Sequence, residues 1–242
     1  VIRFPDGTST TIDFREKAPL KAQQNMYLDK NGEVVRNLSI TGYLASGVPG
    51  TVAGMELAHR LYGSLKWQKL IQPAIKCAKN GFLIDERFAS ELNAMEDIFR
   101  KFPSSEKVFV KPNGQPFLKN DIFKQPDLAK TLTLVSKKGA KAFYTGKIAD
   151  LIAGDMANNG GLITKEDLAK YRAVERPPIY GRYRDHEIIS MGPPSSGGIA
   201  LVQILNVLEQ YNLQEVGYHS SDYVHVLSET LDRKSTRLNS SH

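Results

Sequence analysis

The sequence predicts an α+β fold, and three patterns carry that prediction. Thr, Ile and Phe alternate with Thr and Asp along residues 10–14, which is the period of two that a strand requires. Apolar residues recur at helical spacing in several stretches between positions 51 and 158. Strand-forming residues return between positions 178 and 191 on both sides of a polar turn, a pattern typical of a β-hairpin.

The composition is that of an ordinary soluble globular protein. Of the 242 residues, 41% are hydrophobic and 24% are charged, so the chain is able to bury a substantial core. No apolar run approaches the ~20 residues of a membrane helix, and no membrane span is expected in this chain. The formal net charge is +6, but the basic residues are scattered and form no stripe, which argues against a nucleic-acid partner.

The first helices follow a small-residue loop. A helix is predicted over about 51–62 and a second over about 66–79, which Asn80–Gly81 would cap. Pro73 predicts a kink or a break in the second helix. Its inward face is expected to hold Leu70, Ile71, Ala74, Ile75 and Ala78. Cys77 lies in the same pattern and is interpreted as a buried structural thiol, because nothing nearby would lower its pKa.

The middle of the chain alternates helices with turns. One amphipathic helix is predicted over 87–102, where Pro103 would end it, followed by an extended piece over 107–110. Further helices are predicted over 126–137 and around 148–156. Thr164 and Asp167 resemble a capping arrangement for a short helix that reaches Tyr171.

The last third begins with the hairpin over 178–191. The apolar run 199–208 is interpreted as a buried helix, because its length and Leu content exceed those of a typical strand. A final helix begins at Asp222 and is expected to reach only Leu231. Residues 232–242 match, over eleven consecutive positions, the translation of a common short-read sequencing adapter, so we expect an assembly artefact there. We accordingly predict one partial domain over 1–231.

Arg15 is the strongest candidate for a binding residue. It follows the strand of residues 10–14, and Ala18–Pro19 biases the chain towards an extended or turning path, so Arg15 is expected at the rim of a sheet. The planar guanidinium of an arginine on a rigid element can hold one carboxylate through two parallel hydrogen bonds. The alternative is a surface ion pair with its acidic neighbours, which would contribute little.

Other polar motifs favour structural roles. Ser195–Gly198 precedes a helix and could offer backbone N–H groups to an anion, but it lacks the Gly-x-Ser-x-Gly spacing of a nucleophile elbow, so a structural turn is favoured. Four of the five histidines, His59, His186, His219 and His225, show no metal-ligand spacing, and no metal or cofactor is expected. Asp13, Glu166 and Asp167 are interpreted as cap or surface carboxylates.

Five stretches, in order, resemble the large-subunit portion of the gamma-glutamyltransferase (glutathione hydrolase) family. They are residues 11–19, 44–54, 72–82, 160–168 and 193–198. The resemblance implies an N-terminal-nucleophile hydrolase with a four-layer αββα sandwich, made as a precursor that cleaves itself into two subunits. The N-terminal threonine of the small subunit, which is not in this chain, would attack the gamma-glutamyl amide with its own α-amino group as base.

The resemblance also implies a role for Arg15 and a cellular location. Arg15 matches the family arginine that holds the α-carboxylate of the gamma-glutamyl group, so Arg15 is the predicted substrate-binding residue and no catalytic residue is expected here. Gamma-glutamyl compounds such as glutathione and the small subunit are the implied partners. A periplasmic or secreted location is implied as well, and the fragment alone is expected to be inactive.

Two alternatives stay open at this point. One is a beta-lactam acylase relative of the same fold, acting on a glutaryl-type side chain; acyl groups without the α-carboxylate would make Arg15 less useful. The other is a noncatalytic scaffold or binding fragment. The gene sequence beyond the codon for Leu231 would distinguish an enzyme from a scaffold.

Overall fold

The computed structural model describes residues 1–239, and the side chains of residues 1–232. Within this part the chain divides into two compact units. The first unit comprises Val1–Lys17, Pro49–Ala58 and the described chain from Tyr171 onwards, and the second comprises Ala18–Val48 and His59–Lys170. Each unit is therefore assembled from segments that are distant in the sequence.

The described residues form a mixed helix and strand structure, as the sequence predicts. A short 3-10 helix lies at Tyr43–Ala45. In chain order the other elements are β1 (Ile2–Arg3), β2 (Ser9–Asp13), α1 (Thr51–Tyr62), α2 (Trp67–Asn80), β3 (Phe82–Leu83), α3 (Glu86–Ala94), α4 (Glu96–Phe99), α5 (Pro103–Phe109), β4 (Ile122–Phe123), α6 (Pro126–Lys138), α7 (Lys141–Tyr144), α8 (Lys147–Asn158), α9 (Lys165–Lys170), β5 (Val174–Arg176), β6 (Ile179–Tyr183), β7 (His186–Ser190), α10 (Gly197–Leu208), α11 (Leu213–Val216) and α12 (Ser221–Asn239).

The first unit contains an antiparallel sheet with the strand order β1-β2-β5. The predicted strand is confirmed as β2, and its central residue Thr11 is fully buried. The Thr11 hydroxyl donates to the carbonyl oxygen of Arg176 at 2.8 Å, so a side chain reinforces the pairing of β2 with β5. The sequence did not reveal β5, because its three residues are all exposed and show no alternation.

The predicted hairpin is also confirmed, as β6 paired with β7 from Ile179↔Ser190 to Tyr183↔His186. Helix α10 packs on it, and Gly181 allows the approach, since a Cβ there would lie 2.6 Å from Val202 Cγ2. The prediction that α10 is buried is only half right. Ala200 and Leu208 are buried, but Ile199 is 39% and Leu201 is 42% exposed, so one face of the helix lies open.

The second unit has a core of phenylalanines. Phe123 on β4 stands at its centre and contacts the rings of Phe88, Phe109 and Phe117 at centroid distances of 5.4, 6.1 and 6.0 Å. Ile84, Ala89 and Leu92 complete the buried cluster. Helix α2 packs separately against α6, where the Trp67 indole donates to the Val135 carbonyl oxygen at 3.0 Å.

Helix α2 differs from its prediction in which face it buries. It continues through Pro73 and ends at Gly81, whose φ of 84° explains the glycine at that cap. Its half-buried and buried stripe is Trp67, Ile71, Ile75 and Ala78. The neighbouring stripe of Leu70, Ala74 and Cys77 is exposed. The prediction that Leu70, Ala74 and the Cys77 thiol are buried is therefore wrong, because the helix packs through the neighbouring row of residues.

The predicted helix over 87–102 is interrupted. Helix α3 ends at Ala94, and Met95 has ψ near 2° before α4 begins. Asn93 ties the end of α3 to Phe117 through hydrogen bonds of 2.9 and 2.8 Å to that residue's backbone. The predicted extended piece over 107–110 is wrong, because Pro103 starts α5, and proline is well suited to the first position of a helix.

The last helix reaches further than predicted. It begins at Ser221 and continues past Leu231 to Asn239, through a segment whose Arg, Lys and Leu residues are good helix formers. The remainder of the adapter-like segment, residues 240–242, lies outside the described residues. No helix in the described part of the chain combines the length and the apolar character needed to cross a membrane.

Candidate functional site

Arg15 lies two residues beyond the end of β2, at the rim of the sheet, where the sequence places it. Its side chain is about half exposed, and its Nε lies 3.5 Å from Glu16 Oε1. Within the described residues Glu16 is the one carboxylate recorded at ion-pair distance from the Arg15 guanidinium. The fork of Arg15 is thus accessible to an external carboxylate, and its contact with Glu16 is long and solvated.

The backbone of Arg15 is held on both sides by side chains. Its N–H donates to Asp13 Oδ1 at 3.1 Å, and its carbonyl oxygen accepts a hydrogen bond of 2.7 Å from the Tyr171 hydroxyl. Tyr171 is buried, and Lys17 Nζ lies 5.2 Å from the centroid of its ring. Arg15 has left the sheet ladder, yet both of its backbone polar groups have fixed partners.

Asp13 is itself fixed by an ion pair across the sheet. Arg176 Nε on β5 donates to Asp13 Oδ2 at 2.8 Å, and only 11% of the Asp13 side chain is exposed. Burial raises the pKa of Asp13, but the hydrogen bonds from Arg176 and from the Arg15 N–H outweigh that effect and hold the pKa below its ordinary value. Asp13 is therefore ionised at neutral pH and is a turn-forming residue within the sheet, not a surface carboxylate.

Two glycines bring the start of α1 against this segment. A Cβ at Gly54 would lie 2.3 Å from Phe14 Cγ, and a Cβ at Gly50 would lie 2.0 Å from both the Phe14 carbonyl oxygen and the Tyr171 hydroxyl oxygen. No larger residue fits at either position without displacing Phe14 or Tyr171. The small-residue loop and the strand, which are separate in the sequence, are thus parts of one arrangement around Arg15.

The segment Ser195–Gly198 has the structural role that the sequence favours. Ser195 Oγ accepts a hydrogen bond of 3.3 Å from the Gly197 N–H, which turns the chain into α10. A Cβ at Gly198 would lie 2.2 Å from the Met191 carbonyl oxygen, so this glycine is needed where the helix passes the end of β7. The segment's own side chains and close contacts account for its composition.

Asp167 and His59, two of the remaining polar candidates, have local hydrogen bonds. Asp167 accepts hydrogen bonds from the Thr164 N–H at 2.7 Å and the Thr164 hydroxyl at 2.6 Å, which confirms the predicted cap of α9. His59 Nε2 lies 2.7 Å from the Leu65 carbonyl oxygen. In the part of the chain that the structure describes, no three His, Cys, Asp or Glu residues are grouped in a way that could hold a metal ion.

The family model described as gamma-glutamyltranspeptidase matches residues 1–237. The chain belongs to the gamma-glutamyltranspeptidase family. The glutathione hydrolase proenzyme of Escherichia coli K12 is 46% identical over 230 residues, which cover 95% of this chain and 40% of that relative. The solved structure of Helicobacter pylori gamma-glutamyltranspeptidase is 50% identical with a TM-score of 0.93, and the match covers 97% of this chain and 67% of that one.

A third relative has another activity in its name. The acylase ACY 1 proenzyme of Pseudomonas sp. strain SE83 is 35% identical over 236 residues, which cover 95% of this chain and 42% of that relative. The predicted N-terminal-nucleophile hydrolase fold, present here in part, is confirmed by the structural similarity. The chain spans about two fifths of the length of the curated relatives that it matches.

The sequence points to Arg15 but not to the residues that hold it. Of the two roles that the sequence leaves for Asp13, cap or surface carboxylate, the structure contradicts the second, because the side chain is 11% exposed and accepts the Arg15 N–H at the end of the strand. The two-residue spacing of Asp13 and Arg15 is a typical signal of such an Asx turn. Tyr171 enters the sequence-based prediction only as the end of a helix. No sequence signal pairs it with Arg15, because 156 positions separate the two residues.

Proposed function

We propose that the chain is part of a gamma-glutamyltransferase or glutathione hydrolase, in which Arg15 holds the α-carboxylate of the gamma-glutamyl group. The observation that carries the proposal is the accessible guanidinium of Arg15 on a fixed backbone, in a chain of this family. Two charge-assisted hydrogen bonds from one arginine would fix both the position and the rotation of a carboxylate. Holding the carboxylate in this way would also fix the position of the scissile amide at the other end of the gamma-glutamyl group.

The bond-breaking groups of this proposal come from outside the chain. By the family resemblance, the N-terminal threonine of a small subunit released from the same precursor attacks the gamma-glutamyl carbonyl carbon and expels the amine. Water or an acceptor amine then takes the acyl group from the threonine oxygen. No cofactor is required by these steps, and gamma-glutamyl compounds such as glutathione are the proposed substrates.

Two further features belong to the proposal. Periplasmic or secreted location is supported by the family resemblance. The 242-residue chain alone is expected to be inactive, because the proposed nucleophilic threonine belongs to the small subunit, and to associate through its apolar surface. Ile199 and Leu201 on α10 and Val224 on α12 are exposed in the described first unit, and such surface favours association.

A second candidate, an acylase acting on glutaryl-type side chains, is favoured by the similarity to acylase ACY 1. A glutaryl group carries a carboxylate at the same distance from the acyl carbon as a gamma-glutamyl group does. Arg15 could therefore bind either substrate, so its presence does not distinguish the transferase from the glutaryl-type acylase. The difference between the substrates is the α-amino group, which only the gamma-glutamyl compound has.

The test uses the full-length gene that contains this sequence. Its purified product is assayed with three p-nitroanilides, namely the gamma-glutamyl, the glutaryl and the 4-aminobutanoyl compound, of which the last lacks the α-carboxylate. The proposal expects the gamma-glutamyl compound to be the best substrate by kcat/KM. Preference for the glutaryl compound would assign the acylase activity, and no release from any of the three would support a noncatalytic scaffold.

Activity in the present chain is tested with the same compounds. We expect the purified, monodisperse 242-residue chain to release no p-nitroaniline. Release above the rate of buffer would place a nucleophile inside this sequence and would contradict the proposal that the threonine comes from the small subunit.

A further inference from the structure

We propose that Tyr171 and Asp13 are positioning residues for Arg15, an inference that rests on the proposed function of Arg15 as a carboxylate clamp. Each of them has a hydrogen bond to the backbone of Arg15, one to its carbonyl oxygen and one to its N–H. The position of the guanidinium depends on the position of that backbone. The two residues therefore act on the clamp through the main chain, from opposite sides.

Asp13 fixes the direction in which the chain leaves β2. Its Oδ1 accepts the Arg15 N–H at 3.1 Å, which closes a turn of the Asx type at the strand end. Its Oδ2 receives Arg176 Nε at 2.8 Å, so the carboxylate cannot rotate without breaking one of two hydrogen bonds. The turn at Arg15 is in this way attached to the neighbouring strand β5.

Tyr171 fixes the other side of Arg15. Its hydroxyl donates to the Arg15 carbonyl oxygen at 2.7 Å, and the residue is only 4% exposed. The Lys17 ammonium lies 5.2 Å from the ring centroid and 3.4 Å from the Arg172 carbonyl oxygen. Gly50 leaves the space that the hydroxyl occupies, since a Cβ there would come within 2.0 Å of it. The tyrosine is therefore confined on several sides.

These contacts compensate for a cost that the clamp would otherwise carry. A residue beyond the end of a strand has lost the ladder hydrogen bonds, and a mobile backbone would have to be ordered whenever a substrate binds. With its N–H and its carbonyl oxygen already bonded, Arg15 can meet a carboxylate without that ordering. We therefore expect tighter binding of substrates that have the α-carboxylate and no effect on the binding of substrates that lack it.

The test compares Tyr171→Phe with the unchanged full-length enzyme. The substitution keeps the ring and removes only the hydroxyl. We expect KM for the gamma-glutamyl anilide to rise by about 3- to 30-fold, the equivalent of one hydrogen bond, with a smaller change in kcat. The 4-aminobutanoyl anilide should react at the same rate with both proteins. Tyr144→Phe, which removes the hydroxyl of another buried tyrosine, should leave the ratio of the two substrates unchanged.

A second variant keeps the inference testable if Tyr171→Phe does not fold. Asp13→Asn preserves the size of the side chain and weakens both hydrogen bonds, and it should show the same dependence on the carboxylate. Equal losses with both anilides, or no loss with either, would overturn the inference for the variant concerned. If the unchanged enzyme releases no p-nitroaniline from the gamma-glutamyl anilide, it is the proposed function that fails, and the two failures are thus distinguishable.

Discussion

Gly54 lies directly against the ring of Phe14, so that a Cβ on Gly54 would stand 2.3 Å from Phe14 Cγ. Phe14 immediately precedes Arg15, and Gly54 belongs to the first turn of α1. The contact therefore joins the two sequence motifs that carry the family resemblance in the first quarter of the chain. Its consequences can be measured by filling the space at Gly54.

We expect Gly54→Ala to destabilise the protein by about 1–3 kcal/mol, the usual cost of overpacking a close contact. Gly154→Ala is the matched control, because Gly154 is also inside a helix and a Cβ added there would have no atom within 4 Å. That control should stabilise the protein by about 0.5–1 kcal/mol, since alanine favours the helix over glycine. Denaturant unfolding measures both, and equal shifts in the two variants would contradict the close contact.

Arg15→Ala should lower kcat/KM for the gamma-glutamyl anilide by roughly thirty- to several-thousand-fold, the equivalent of about 2–5 kcal/mol. The reason is that a carboxylate would be desolvated without its partner. Arg15→Lys should recover only part of the loss, because it keeps the charge but not the fork. The 4-aminobutanoyl anilide should be almost indifferent to both variants. If the loss of kcat/KM from Arg15→Ala is the same for both anilides, Arg15 and the α-carboxylate are not coupled, and Arg15 is an ordinary surface arginine.

Asp167→Asn should reduce stability more at neutral pH than at acid pH. Burial raises the pKa of Asp167, but hydrogen bonds from the Thr164 hydroxyl and from the Leu20 and Thr164 N–H groups hold the pKa below its ordinary value. A lowered pKa gives stability that is present above the unfolded-state pKa and is lost as pH falls through the folded-state pKa. We expect a loss of about 1.5–3 kcal/mol at pH 7.

The difference between Asp167→Asn and the unchanged protein should then begin to shrink below about pH 4, the ordinary pKa of an aspartate in the unfolded chain, and should be lost as the pH falls through the lower folded-state pKa. Urea unfolding at pH 7 and at pH 3 measures it. Asp127→Asn is the control, because the Asp127 side chain is 69% exposed and its contact with Lys130 is solvated. A loss for Asp167→Asn that is the same at both pH values would show that the charge of Asp167 does not act as described.

Deleting residues 232–242 should leave the melting temperature unchanged within about 2 °C, which is no more than the shift of about 2–4 °C that a loss of 1 kcal/mol causes in a chain of this size. The segment shows no apolar period and matches a sequencing adapter. The family match, however, extends to residue 237, and α12 continues to Asn239. Resequencing the original DNA beyond the codon for Leu231 is the direct check. A larger fall in the melting temperature would show that the segment belongs to the fold.

The sequence predicted the elements whose signal is local. The strand before Arg15, helices α1, α6 and α8, the cap at Thr164 and the hairpin all depend on periodicity or on residues a few positions apart. The wrong predictions concern features that depend on which other element a helix or strand packs against. Cys77 and Leu70 are exposed because α2 packs through the adjacent stripe, and helix periodicity alone cannot choose between two apolar stripes that lie side by side.

The candidate site divides in the same way. Arg15 could be found because a strand end followed by Ala-Pro predicts a rim position, and the family resemblance gives it a role. Tyr171 and Arg176 could not, because their pairing with the Arg15 segment joins residues more than 150 positions apart. Such pairs follow from the strand order β1-β2-β5, which no local pattern contains.

The distance in sequence between Arg15 and Tyr171 also sets an order of events during synthesis. Arg15 leaves the ribosome early, but its carbonyl partner is 156 residues behind it, and Arg176 is later still. Closing so long a loop is entropically costly and is completed only when the intervening chain has emerged. A nascent chain that contains Arg15 but not yet Tyr171 and Arg176 therefore has the guanidinium without the hydrogen bonds that fix its backbone. The clamp becomes competent only after the second unit has been translated and β5 has joined the sheet.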